Sequence, residues 1–422
     1  MRGTTMHVIW GLGGMLGLLL IAAALSTNRR AIRLRTVLPA LAIQVGFGAL
    51  VLYVPWGRTA LRWASDGFQS VIDSATEGIS FLFGPLLPDE GVVFALQVLP
   101  VVVFFASLTG VLFHLGWLQV VVRVLGGGLQ RVLGTGKAES TNAAANIFLG
   151  QTEAPLVIRP YVAGLTRSGL FAVMVGGLAT VAGSVLVGYS LLGADLDYLI
   201  AASFMAAPGA LLMAKILVPE EPDNVASGTE FDEAEVEAAK HTPSELGEVT
   251  EHRNVIDAAA AGAADGAKLA INIGAMLLAF ISLIALLNAM IGGVGGWFGH
   301  PDLSFETIIG YVFAPIMLMI GVPWHEAVDA GSFLGQKVIV NEFVAFTNFG
   351  PEVESYSPRT QAIVTFALTG FANLSSLGIL LGGLGSMAPS RRKDIASLGM
   401  RAILAATLAN LMSATIAGIM LG

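Results

Sequence analysis

Two carboxylates sit where a carboxylate is costly. Glu153 lies in "NIFLGQTEAPLVIRPYV" (Asn146–Val162) and Glu342 in "GQKVIVNEF" (Gly335–Phe343), both within strongly apolar surroundings. An ionisable side chain at bilayer depth is a functional candidate by default, because desolvation opposes its charge. Each has an amide close by, Gln151 two residues before Glu153 and Asn341 directly before Glu342. Each is followed by a polar, small-residue interruption of an apolar run. The first is "GLATVAGSVLVGY" (Gly177–Tyr189), with Thr180 and Ser184. The second is "LTGFANLSSLGILLGGLG" (Leu368–Gly385), with Asn373, Ser375 and Ser376. Carboxylate acceptors, amide donors and hydroxyls, with Thr152 between Gln151 and Glu153, suit a neutral and multiply hydroxylated solute. An anionic solute would call for Arg or Lys and would be repelled by two glutamates. A single Ser or Asn in such a helix often only bonds the preceding turn or joins two helices. Two glutamates in matching segments are not explained that way.

A small hard cation has its own candidate set. Asn146 stands seven residues before Glu153, about two helical turns. Its amide oxygen, the Thr180 hydroxyl and carbonyls freed at a helix break are the ligands such an ion prefers. Other chemistries find little support. The six histidines have no ligand spacing, the chain has no cysteine, and no phosphate-loop motif is present. ATP-driven transport and an intramembrane acid–base enzyme, which would need Asp-rich metal motifs or a catalytic His, are both disfavoured. The expectation is a chain that is not an enzyme.

The elements that must hold these residues are membrane helices. Crossing a hydrocarbon layer of about 30 Å takes about 20 apolar residues. Apolar runs cover 6–26, 37–55, 92–120, 166–192, 197–218, 268–293 and 395–421, with two interrupted regions at 304–346 and 360–387. The first run is expected to be a transmembrane helix with its N-terminus outside and not a secretory leader, since only Arg2 precedes it while Arg29, Arg30, Arg33 and Arg35 follow at once. The glycines of "GLGGMLG" (Gly11–Gly17) read as helix packing through Gly13 and Gly17. Basic clusters at Arg29–Arg35, around Arg123–Lys137 and at Ser390–Asp394 mark the cytoplasmic side. Base-poor loops at Leu192–Tyr198 and Gly292–Glu306 mark the outside. Both termini then face outward, provided that 121–163 and 304–346 enter and leave on the same side. Each is expected to be a re-entrant helical hairpin, from the cytoplasm and from outside respectively. Non-helical backbone at membrane depth needs protein or a water-filled cavity around it, and glycine and proline flanking Glu153 suit a hairpin tip.

The fold class expected is an all-α polytopic membrane protein with eight full transmembrane helices. It is an inverted repeat with two re-entrant hairpins and two broken transmembrane helices, an arrangement typical of alternating-access transporters and ill-suited to a passive channel. Residues 1–56 hold two N-terminal transmembrane helices and 57–90 an interfacial amphipathic helix. The first repeat is 91–218 and the second 254–422. Between them, 219–253 carries eleven of the thirty acidic residues and two bases, and reads as a solvated cytoplasmic loop. The remainder is almost neutral, with 19 acids and 20 bases, so the net charge of −8 says little about partners.

The motifs "GQTEAPL", "GQKVIVNEFVAF", "GFANLSS" (Gly370–Ser376) and "NVIDAAAAGAADGAKLAINIGAML" (Asn254–Leu277) resemble those of the concentrative nucleoside transporters of bacterial type, from about residue 90 to 422. The resemblance implies uptake of nucleosides such as uridine, coupled to a cation gradient. Sodium is the coupling ion it implies and the proton the alternative. It further implies a homotrimer in the bacterial inner (cell) membrane, with nucleoside and lipid but no nucleic acid as partners. Hairpins and broken helices would move in an elevator-like manner against a scaffold of the remaining helices. By the match, Gln151, Thr152 and Glu153 contact the base, with Val185 packing nearby and Leu269 in the apolar wall. Glu342, Asn373 and Ser376 bind ribose hydroxyls, with Phe371 adjacent. Sodium maps to Asn146, the Leu149 carbonyl, Thr180 and the Val181 carbonyl. Thr180 stands where a serine is expected, and the hydroxyl is retained.

Overall fold

The computed structural model describes residues 2–88, 93–221 and 253–421, and these are mainly helical with no strand. Most of the acidic stretch 219–253 therefore lies outside the described residues. Seven helices are long and apolar enough to cross a membrane, so the chain is a multi-pass membrane protein. The helices are α1 (Arg2–Ala24), α2 (Leu34–Gly48), α3 (Pro55–Phe83), α4 (Leu99–His114), α5 (Trp117–Leu133), α6 (Lys137–Ala145), α7 (Arg167–Ala179), α8 (Gly183–Leu191) and α9 (Leu196–Leu217). Then follow α10 (Val255–Trp297), α11 (Phe305–Ile320), α12 (Ala327–Ile339), α13 (Glu342–Phe349), α14 (Pro358–Leu368), α15 (Leu374–Met387) and α16 (Arg392–Leu421).

Burial separates an inner from an outer layer. The α7–α8 span and α9 are each 94% buried, and the span containing α16 is 83% buried. In α10 only 17% is buried, so its apolar side chains face outward, where lipid replaces a protein core. The outer helix lies along α4 at close range, because small residues leave room for backbone contact. A Cβ on Gly262 would meet the Ala106 carbonyl oxygen at 2.6 Å, and one on Gly266 would meet the Val103 Cα at 2.8 Å. The Ser107 hydroxyl donates to the Ala259 carbonyl across the same seam at 2.8 Å. Helix α3 starts at a proline, which fits the first turn because no N–H is needed there. It buries Gly57, Leu61, Ser65, Ile72, Ala75 and Ile79 on one face and exposes Trp56, Trp63 and Phe81, as an interfacial helix would.

Two glycine-rich stretches are continuous helix. The glycines of "GGGLQ" lie inside α5, and a Cβ on Gly126 would meet the Thr141 Cα at 2.9 Å. Gly126 therefore brings α5 onto α6, while Gly127 and Gly128 have open space beside them, and none of the three interrupts the helix. Segment 121–163 thus holds more than two arms: most of α5, then α6, then an irregular tip and the short helical turn Ala154–Tyr161. Segment 304–346 likewise holds α11, α12 and the start of α13. Helix α10 continues through Gly292–Gly296 to Trp297, because Gly292 and Gly295 pack closely on the carbonyls of Pro301 and His300. In α1, Gly13 has open space beside it. Gly14 and Gly17 pack on Met319 and Gly11 packs on Ile419, so the packing stripe is offset from the expected Gly13/Gly17 pair.

The succession of two short helices around a tip, two around a break and one long helix occurs twice, as α6 to α9 and as α12 to α16. The breaks fall where the polar, small residues were read, between Ala179 and Gly183 and between Leu368 and Leu374.

Candidate functional site

The second tip is held by its own side chains. Asn341, in extended backbone, caps α13 by accepting from the Val344 N–H at 2.9 Å. This places Glu342 in the first turn of α13, where the positive end of the helix dipole favours a carboxylate. The Glu342 side chain is buried. The Tyr189 hydroxyl donates to one carboxylate oxygen at 2.9 Å, and the Asn373 amide donates to the other at 2.6 Å. Asn373 is itself fixed, since its side-chain oxygen caps α15 by accepting from the Ser376 N–H at 2.7 Å and from the Ser375 hydroxyl at 2.7 Å. Glu342, Asn373 and Ser376 are thereby brought into one cluster.

The first tip runs from Asn146 to Glu153. The Gly183 N–H at the start of α8 donates to the Phe148 carbonyl at 3.1 Å and fastens tip to break. Gly177 lets the tip approach α7, since a Cβ there would meet the Gln151 Cβ at 3.0 Å. Gln151 is buried, and its side-chain oxygen has no hydrogen-bond partner among the described residues, which is costly unless a ligand or water supplies one. Glu153 accepts from the Gly150 N–H at 3.2 Å and keeps an exposed side chain, with Asp265 of α10 as a like-charged neighbour. Val185 is buried one turn before Tyr189 on α8, while Leu269 and Phe371 are half-buried.

The two halves meet at the breaks. The Phe371 N–H donates to the Thr180 carbonyl at 3.2 Å. The Asn410 amide of α16 donates to the Ala179 carbonyl at 2.7 Å and to the Thr369 carbonyl at 2.9 Å. The first tip also reaches the second half, where a Cβ on Gly383 would meet the Thr152 Cγ2 at 2.8 Å. No hydrogen bond among the described residues joins Glu153 to Glu342.

The oxygen set read for a small cation fits one. Asn146 is fully buried, its amide donates back to the Asn142 carbonyl at 2.9 Å, and its side-chain oxygen has no partner among the described residues. The Thr180 hydroxyl donates to the Gly176 carbonyl at 2.9 Å, which leaves its lone pairs available. Leu149 and Val181 are buried in irregular backbone at tip and break. Among the described residues no cluster of three or more His, Asp or Glu could hold a metal.

Three residues of this region were not singled out in the sequence. Tyr189 ends a run that reads as packed apolar helix, Asn410 sits in an Ala-rich helix, and Lys337 belongs to "GQKVIVNEF" without having been given a role. The signal for all three is the same, a strong polar group inside an apolar helix.

Hairpin-like tips and broken helices meeting inside an apolar bundle, around buried polar groups, define a solute transporter. The chain belongs to the concentrative nucleoside transporter family, and its relatives are permeases and transporters, not enzymes. Family models described as Na+ dependent nucleoside transporter N-terminus and C-terminus match residues 13–86 and 198–418, and one described as nucleoside recognition matches 95–195. The chain is 53% identical over 416 residues to the uncharacterized transporter YutK of Bacillus subtilis (strain 168), covering 98% of this chain and 99% of that one. It is 46% identical over 421 residues to the nucleoside permease NupC of Helicobacter pylori, covering 97% of each. Among solved structures it is similar to CNTnw in an inward-facing substrate-bound state, with a TM-score of 0.91, 53% identity and 98% of each chain covered. A double variant of CNTnw in an outward-facing state gives 0.93, with 53% identity and 99% of each chain covered.

Proposed function

We propose that the protein imports nucleosides across a bacterial inner membrane by sodium symport, with an elevator-type alternation of access. The observation that carries this reading is the buried Glu342 carboxylate, held by Tyr189 and Asn373 with no basic side chain among the described residues hydrogen-bonded to it, although the Lys337 charge is felt there. A buried anion so arranged awaits hydroxyl donors, and vicinal ribose hydroxyls offer two at the right spacing. Glu342, Asn373 and Ser376 would take the ribose, and Gln151, Thr152 and Glu153 the base. Val185, Leu269 and Phe371 would supply apolar contact. The partnerless Gln151 oxygen supports a base-edge donor at that position.

Asn146, Thr180 and the carbonyls of Leu149 and Val181 would hold sodium, which when bound supplies positive charge at the break and links substrate binding to the ion gradient. The partnerless Asn146 oxygen supports this. The recurring element order supports an inverted repeat, with α14 and α15 completing an eighth crossing and both termini outside. The resemblance assigns only hairpins and broken helices to the moving unit. Buried contacts argue for a larger one: Lys215 of α9 pairs with Glu139 of α6 at 2.7 Å, and Asn410 of α16 bonds both breaks. Helices α9 and α16 would then travel with the hairpins, while α4 and α10 stay as scaffold. A homotrimer fits the broad apolar outer face of α10.

Uridine uptake into proteoliposomes tests the reading. Glu342→Gln is expected to reduce uptake to near background, and wild-type rates in that variant would refute the ribose assignment. Sodium replaced by choline at fixed pH is expected to stop uptake. Uptake that persists and follows an inward pH gradient would assign the coupling ion as the proton.

A further inference from the structure

Lys337 is fully buried in α12, and a buried ammonium is tolerated only where acceptors and negative potential replace water. Its amine donates to the Ala367 carbonyl at 2.7 Å and to the Asn410 side-chain oxygen at 2.8 Å. Ala367 is in the last turn of α14, the negative end of that helix dipole. Asn410 in turn donates to Ala179, the last residue of α7, and to Thr369 in the second break. One cation thus reaches the carbonyl ends of both broken helices, directly at one and through an amide at the other.

The two breaks are chemically parallel. The Thr180 hydroxyl donates to the Gly176 carbonyl and the Thr369 hydroxyl donates to the Thr365 carbonyl, each four residues back at the end of a first half-helix. They differ in what else attends them. The first has the buried, partnerless Asn146 oxygen, and the second has Lys337. The second break continues through Phe371, bonded to Thr180, to Asn373, bonded to Glu342.

We infer that Lys337 is a positioning residue acting as a tethered cation for the second break. Its ammonium, through Asn410, holds Asn373 and hence Glu342 in substrate-binding geometry without help from a mobile ion. This rests on the sodium-coupled nucleoside reading above and adds an asymmetry to it, in that ion dependence is confined to the first break.

The test is uridine binding to purified protein by calorimetry, with sodium-induced thermal stabilisation measured in parallel. Lys337→Met is expected to weaken uridine binding by about tenfold or more, the scale of a lost charged hydrogen bond. Methylammonium added at high concentration should restore part of that affinity in the variant and leave the wild type unchanged. Sodium should still stabilise the variant, because Asn146 and Thr180 are intact. Asn410→Ala, which keeps the ammonium and removes its bridge, is expected to lose affinity without methylammonium rescue, and serves if Lys337→Met does not fold. Wild-type uridine affinity in either folded variant overturns the inference. Loss of sodium stabilisation together with uridine binding in Lys337→Met also overturns it, since both breaks would then depend on the residue. A wild-type protein that binds no uridine, or ignores sodium, would instead sink the underlying reading.

Discussion

At the scale of single residues, Tyr189 decides how Glu342 presents itself. Its ring stacks on Phe346 with centroids 4.4 Å apart and meets the Phe343 edge at 4.8 Å, so aromatic packing fixes the ring and the hydroxyl is free to orient the carboxylate. Tyr189→Phe keeps the packing and removes one donor, worth about 1 kcal/mol. Uridine KM is expected to rise about fivefold with the melting temperature little changed. An unchanged KM would mean that Asn373 alone positions the carboxylate. That Glu342 and Asn373 belong to one polar set was legible in sequence, because a carboxylate, an amide and a helix break recur in order, but the hydrogen bond between the two was not. Tyr189 was not, because a tyrosine ending an apolar run is ordinarily a packed ring and only its buried hydroxyl marks it. Lys337 was not read either, although a lysine in an apolar segment is anomalous, because its targets are a carbonyl and an amide in other helices and such contacts carry no sequence signature.

At the scale of elements, the base of the first tip is fastened by charge. Lys215, at the end of α9, pairs with Glu139 of α6 at 2.7 Å and with Glu220 at 3.0 Å, and donates to the Ser168 hydroxyl of α7 at 3.0 Å. Glu139→Gln leaves a buried ammonium short of a partner. The loss is expected to be about 3 kcal/mol, at the lower end for a broken buried pair because Glu220 remains, read as a drop in melting temperature in detergent. Burial pushes the Glu220 carboxyl up, but Lys215 and the hydroxyls of Thr166 and Ser168 outweigh it and hold the group below its ordinary value of 4.5. The stability from this contact is complete above that ordinary value and is lost as pH falls through the lowered one. Glu220→Gln should remove that part of the acid sensitivity, compared by thermal melts on either side of pH 4.5. The breaks and the long apolar helices were legible from composition. The boundaries at α5 and at the end of α10 were not, because glycine signals either a turn or a close helix contact, and only the neighbouring backbone tells which.

At the scale of the whole molecule, the proposed alternation requires α8 to slide past α4. A Cβ on Gly188 would lie 3.5 Å from the Val98 Cγ1, just ahead of α4, with the Phe343 ring at 3.3 Å needing to give slightly. The chain has no cysteine, so Val98→Cys combined with Gly188→Cys introduces the only thiols. Oxidation is expected to arrest uridine uptake and dithiothreitol to restore it; full uptake by the cross-linked protein would exclude sliding at this seam. The ionic knot around Lys215 has a mechanical consequence. One lysine at the foot of α9 gathers α6, α7 and Glu220 into a single joint, so a shift of α9 would drag the start of α6 along with it.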